Sequence, residues 1–245
     1  MILRQALAAQ SRSFARDVVL LGVGVAAFTM ALSLITSVPA EISSAPVEVR
    51  ARLLAPFDPV MATYGALMAA IYGSFRYTSD RRNGVVAQRL TVQPRWAHLA
   101  GRVPWTALGG GVIAVATVLG GRIALAPSLG GLAVDLSSTA LAAALGATAA
   151  LWGLSVGLLV QHHLIALFVA PLSLSVGLLL TTFWGPGAVW FPLPAMLTAF
   201  GFDLGDVALG DVAALDTVAA VAVVFGWSLV ALVAGGASLA RRDVH

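Results

Sequence analysis

Six hydrophobic runs set the limits on what this chain can become. They lie at about Val18 to Pro39, Phe57 to Phe75, Pro104 to Leu125, Thr139 to Val160, Leu164 to Phe183 and Leu215 to Ser238. Crossing a hydrocarbon layer of about 30 Å takes roughly 20 helical residues, and each run supplies about that many. A membrane-barrel strand would alternate apolar and polar residues over about ten positions, whereas "LIALFVAPLSLSVGLLL" is apolar on every face and suits a bundle helix. The chain is 59% apolar with a mean hydropathy of +0.93, beyond the roughly half-apolar composition of soluble domains. The expectation is an all-α integral membrane protein with six transmembrane helices in a single domain over residues 1–245.

The first run follows Arg4, Arg12 and Arg16 and ends in "SVPA", much as a secretory signal would. It exceeds the roughly 7 to 15 apolar residues of such a signal, so it is expected to be retained. The sequence has neither cysteine nor lysine. That excludes disulfides, thiol nucleophiles and cysteine-bound metal, and with them Schiff-base chemistry and the lysine of a phosphate-binding P-loop.

All fourteen basic residues are arginine, and their distribution predicts orientation. With both termini in the cytoplasm, Arg4, Arg12, Arg16, Arg76, Arg81, Arg82, Arg89, Arg95, Arg102, Arg241 and Arg242 fall inside; only Arg50, Arg52 and Arg122 fall outside or at the outer boundary. This is the positive-inside pattern. The pI of about 10.2 therefore needs no nucleic-acid partner, because these arginines hold orientation and can meet anionic membrane lipid.

Residues 1–16 place Leu3, Leu7 and Phe14 on one helical face and the arginines away from it, as in a helix lying in the membrane interface. The outer loops Glu41 to Pro56 and Pro127 to Ser138 are too short for a folded domain. The outer segment 184–214 is long and apolar; Pro186, Pro192 and Pro194 break it and Trp184 and Trp190 favour the interface, so it is expected to be re-entrant or surface-lying. Asp203, Asp206, Asp211 and Asp216 are read either as turn and cap residues or as an acidic rim attracting cations or a cationic substrate. No metal site is expected.

The longest cytoplasmic loop, residues 76–102, carries "YTSDRRNGVVAQRLTVQPRW". Asp80 or Asn83 can cap a short helix, Val85, Val86, Leu90 and Val92 give it an apolar stripe, Arg81, Arg82 and Arg89 give it charge, and Pro94 stops it. Such a helix can dock into a groove on a soluble partner; equally, the arginines can serve only as a topological anchor.

In these residues the chain resembles the ABC-2-type transporter permease family. Its members carry an acid, a basic residue and a glycine, then a short helix ending in proline and a basic residue, between spans two and three. Here these are Asp80, Arg81, Gly84, Arg89, Leu90, Pro94 and Arg95; the lysine that members carry before span three is Arg102. The six-span layout, the interfacial helix and the broken segment before the last span match as well. The resemblance implies a dimeric permease, formed with a second copy of itself or a related chain, in a bacterial inner (plasma) membrane. It implies separate ATP-binding ABC subunits that carry ATP and Mg, with this chain holding no cofactor and the seven named residues forming a coupling helix.

Other motifs have plainer readings. "GLSVG", Gly153 to Gly157, matches a nucleophile-elbow pattern but lies inside a span, so it reads as close helix packing. Gly109, Gly110, Gly111, Gly120 and Gly121 read as close approach or bending. His162 and His163 read as polar residues of a tight turn. Arg122 can extend to water at the outer edge, where Asp58 is placed to pair with it. The spans otherwise hold almost no ionisable residues, which argues against proton-coupled transport. The expected function is export of a hydrophobic or amphiphilic compound, such as a drug, antibiotic or lipid-linked molecule. The alternative is a non-transporting membrane scaffold or assembly factor; an enzyme is not expected.

Overall fold

A computed structural model describes residues 2–33, 46–54, 56–129, 131, 135–208 and 212–241. Within them, eleven helices follow in order: α1 (Ile2–Phe14), α2 (Val18–Leu32), α3 (Val47–Leu54), α4 (Phe57–Arg82), α5 (Val85–Leu90), α6 (Arg95–Leu129), α7 (Leu136–Val160), α8 (His163–Leu180), α9 (Gly185–Ala188), α10 (Pro192–Ala199) and α11 (Thr217–Arg241). No strand occurs among the described residues. Four helices, α6, α7, α8 and α11, are long and apolar enough to cross a membrane; α1 and α2, bent by 52° at their junction, make a fifth if taken as one span. This architecture is compatible with a multi-pass membrane protein.

Of the six predicted runs, α4 is the one whose composition falls short of a spanning helix, and its surroundings explain why. It packs against α2, α6, α7 and α8, and its middle is built of small buried residues, Gly65, Ala66, Ala69, Ala70 and Gly73. A helix enclosed by protein does not need the hydropathy of one facing lipid. α8 and α11 show the opposite, with Phe168, Leu172, Val218 and Phe225 all exposed. The first run is helix to Leu32, closed by Ser33; the rest of it, 34–39, lies outside the described residues.

Small residues set the helix spacing. A Cβ added at Gly73 would stand 2.0 Å from the Ala150 carbonyl oxygen, and one at Gly153 would stand 2.0 Å from that of Ala70, so the α4 and α7 backbones meet through glycine from both sides. Gly110 and Gly146 do the same between α6 and α7, Gly109 accepts the Tyr72 ring, and Gly120 faces the Phe28 carbonyl. The expected close approaches of "GLSVG" and of the α6 glycines are therefore present. Ser155 donates its hydroxyl to the Leu151 carbonyl of its own helix, as a packing residue does.

In α1 the buried side chains are Ala6 and Gln10, with Ala6 against Gly101 and Phe14 against Trp105; Leu3 is exposed, as an apolar side chain of a helix in the interface would be. Of the two courses expected for the broken segment, re-entrant or surface-lying, the surface-lying one is not seen: α9 and α10 fold into the bundle, where Leu193, Met196 and Leu197 are buried in the main apolar core with Leu174 and Leu145.

Gly73→Ala and Gly153→Ala should each lower stability by about 1–3 kcal/mol through overpacking. Gly226→Ala, where nothing lies within 4 Å, should be neutral or raise stability by up to about 1 kcal/mol. Thermal unfolding of the purified variants in one detergent checks both.

Candidate functional site

Charge collects at the two ends of α4. At its start, Asp58 pairs with Arg122 of α6 at 2.7 Å, half-exposed as expected. Near its other end, Asp80 pairs with Arg102 of α6 at 2.8 Å. The 22 residue steps from Asp58 to Asp80 correspond to roughly 33 Å of helix, and the two clasps lie about a hydrocarbon thickness apart.

The Asp80 end is built as follows. α4 continues past its apolar run to Arg82, and Asn83 closes it, its N–H bonding the Ser79 carbonyl. Gly84 then turns the chain at φ 73°, a left-handed conformation that favours glycine, and α5 follows at once. The expectation that Asp80 or Asn83 caps α5 is thus corrected: Asn83 ends the preceding helix, and the Asp80 carboxylate faces Arg102. Thr91 bonds the Gln88 carbonyl to close α5, and Pro94 precedes the start of α6.

The apolar face of α5 is used inside the chain. Val86 is fully buried in a cluster with Tyr77, Leu154, Leu158 and Leu239, and Leu90 packs against it. Val92, expected on the same stripe, is 80% exposed, because it lies beyond the last turn of α5. A partner approaching this end meets the polar face of α5 together with exposed Val92 and Trp96, not a free apolar stripe.

The arginines divide by role. Arg95 donates to the Leu239 carbonyl at 3.0 Å and also to the Ala240 carbonyl, placing a cation on the C-terminal end of α11, where helix-dipole charge favours it. Arg89 has one guanidinium nitrogen buried without a hydrogen-bond partner; burial pushes its pKa down, with Asp80 opposing. Arg82 lies 2.8 Å from His163 Nε2, which accepts because arginine can only donate. His162 and His163 stand at the α7–α8 turn as expected, entered through Gln161 at φ 63°. Of the seven sequence-predicted residues, the structure brings Asp80, Gly84, Arg89 and Leu90 around α5, leaves Arg81 partly exposed beside Tyr77, and engages Arg95 with α11. Pro94 is exposed.

Of the buried members of this end only Arg102 was singled out from the sequence, as the counterpart of the family's lysine; Asp17, Tyr72, Arg76 and His98 were given no site role. Arg76 Nε lies 2.6 Å from Asp17 Oδ2 with both side chains almost wholly enclosed. Tyr72 donates to the same carboxylate at 3.0 Å, the Leu20 N–H bonds its other oxygen, and the Arg76 guanidinium lies over the Phe14 and Tyr72 rings. Asp17 thus caps α2, fixes the α1–α2 bend and neutralises Arg76. Arg102 is 1% exposed, lies over the Tyr77 ring and makes an ion pair without an aligned hydrogen bond. His98, also enclosed, has neither ring nitrogen bonded. These charges lie just beyond the predicted spans, which start at Val18 and Pro104 and end at Phe75, so the spans themselves still hold almost no ionisable residues; the charge sits where α4 and α6 extend past them. The signal was available in Asp17, a lone acid at the edge of an apolar run, since a carboxylate taken out of water requires a partner.

At the opposite end the aspartates behave as turn and cap residues: Asp203 accepts from the Gly205 N–H and Asp216 from the Ala219 N–H. Asp206 is exposed, and Asp211 lies outside the described residues. No family model matches this sequence, and neither a curated protein nor a solved structure does.

Breaking the enclosed clasp should cost far more than breaking the exposed one. Asp80→Ala is expected to destabilise by about 3 kcal/mol or more because it strands a buried guanidinium, and Asp58→Ala by about 1 kcal/mol or less. A double-mutant cycle with Arg102→Ala, read by thermal unfolding, should give a coupling of about 1–3 kcal/mol.

Proposed function

We propose that this chain is the permease subunit of an ATP-driven ABC-2-type exporter. It would work as a dimer with two separate ATPase chains and move a hydrophobic or amphiphilic compound out of the cytoplasm or inner leaflet. The observation that carries the reading is α5. It is a six-residue helix, set off by a left-handed glycine between two long helices and held next to buried ion pairs that reach α2, α4 and α6. A push on α5 from outside would be passed to those helices through enclosed charges, which have no water to rearrange into.

In this reading α2, α4, α6, α7, α8 and α11 are the six spans. The approximate match between clasp separation and hydrocarbon thickness favours counting α4 among them. The α5 end then faces the cytoplasm, which the arginine bias favours, the membrane is a bacterial inner membrane, as the family resemblance implies, and α9–α10 is the broken segment of the opposite side. ATP and Mg would sit on the partner, since no lysine is present here to hold phosphate in a P-loop. Asp80, Arg81, Gly84, Arg89, Leu90, Pro94 and Arg95 form the coupling element, with the outer face of α5 toward the ATPase and Leu90 and Arg95 anchoring the element within the chain.

A non-transporting scaffold is the second reading. What favours it is that α5 buries its own apolar face, as a purely structural loop would. The two readings separate on variants. Gly84→Ala forces a side chain into the left-handed region at a cost of about 1–2 kcal/mol, with open space around it. Under the exporter reading, Gly84→Ala and Arg89→Gln insert normally but lose export, measured as resistance of the host to a panel of amphiphilic antibiotics. Unchanged resistance in both variants would remove the coupling assignment, and inverted topology would identify the loop as an anchor.

A further inference from the structure

At the end of the bundle that carries α5, but on another side of α4, lies a pocket of about 440 Å³ lined by Thr78, Arg81, Arg82, Gln161, His162 and His163. No acid lines it. Neither Arg81 nor Arg82 takes part in an ion pair with a described carboxylate, the ion pairs among the described residues being those of Arg76, Arg102 and Arg122. The pocket is also where α8 begins, and no side chain caps that 18-residue helix, so its first N–H groups and dipole add to the positive field. Two permanent cations, two imidazoles and a helix start converge here without a counter-charge.

The outward continuation of this pocket is apolar. Leu164, Ile165, Phe168 and Leu172, along the same α8, are all more than half exposed. A ligand that places a phosphate among the arginines and runs hydrocarbon along α8 satisfies both surfaces at once. We infer that this pocket binds the phosphate headgroup of an anionic phospholipid, with its acyl chains lying against α8. Basic pockets at the ends of membrane helices recognise lipid phosphate through charge and donor geometry. The Arg82 contact to His163 holds the guanidinium over the pocket until a phosphate oxygen takes its place as acceptor.

The site rests on the chain being a membrane protein and requires neither an ATPase partner nor transport, so it fails separately from the exporter proposal. The test uses the full chain in mild detergent, given equal amounts of phosphatidylglycerol and phosphatidylcholine, with bound lipid counted by native mass spectrometry. Wild-type protein should retain phosphatidylglycerol in preference. Arg82→Gln should lower that retention by about tenfold, the loss of one charge-assisted contact, whereas Arg12→Gln, an equal charge change at an exposed position of α1, should leave it unchanged. Equal losses in the two variants would mean diffuse electrostatics and overturn the site, as would equal retention of both lipids. Displacement of the lipid by excess inorganic phosphate would make this a free-phosphate pocket and overturn the lipid assignment.

Discussion

The pairing of α4 with α6 by two ion pairs is the constraint from which the rest of the structure follows. Asp58 and Arg122 close one end and Asp80 and Arg102 the other. Between them the two helices and α7 meet through glycine and alanine, with the Tyr72 ring and Met61 seated on glycines of α6, so closely that a side chain at those glycines would collide. Close approach leaves nowhere for water, and a dry interior makes each enclosed charge dependent on its partner. Arg76 is held by Asp17 for the same reason, which ties the α1–α2 bend to the end of α4.

That arrangement concentrates polar chemistry at one end of an otherwise apolar bundle. In the proposed coupling, enclosed arginines, paired or stacked on aromatic rings, would transmit displacement because breaking one contact strands a charge at a cost of several kcal/mol. Arg81, partly exposed, and Arg82, exposed, make no ion pair with a described carboxylate, and their charge can meet something outside the chain. The division between spent and unspent charge separates the internal linkage from the surfaces that can recognise a partner or a lipid.

Much of this was legible in the residues and some was not. The helical class, the α6 glycines, the "GLSVG" contact and the short helix before Pro94 follow from composition and spacing alone; the Asp58–Arg122 pair was legible only as a partnership open to the two residues. α4 looked like a spanning helix from its length, yet its small and polar interior only makes sense once four helices surround it. Burial direction was the harder quantity: Gln10, Arg76 and Arg102, polar or charged, are enclosed. Hydropathy prices a side chain against water or lipid, and these residues face neither. The same limit hid the Asp17–Arg76 pair, whose members are 59 positions apart in sequence.

The most direct test of the central claim, that the α5 end receives work from an ATP-hydrolysing partner, is purification of the chain from its own host in mild detergent. Bound proteins would be identified by mass and the ATPase activity of the complex assayed. The account predicts a stoichiometric ATP-binding subunit whose hydrolysis rate changes when residues 80–95 are altered. A chain that comes away alone, or with a partner that binds no nucleotide, would contradict it.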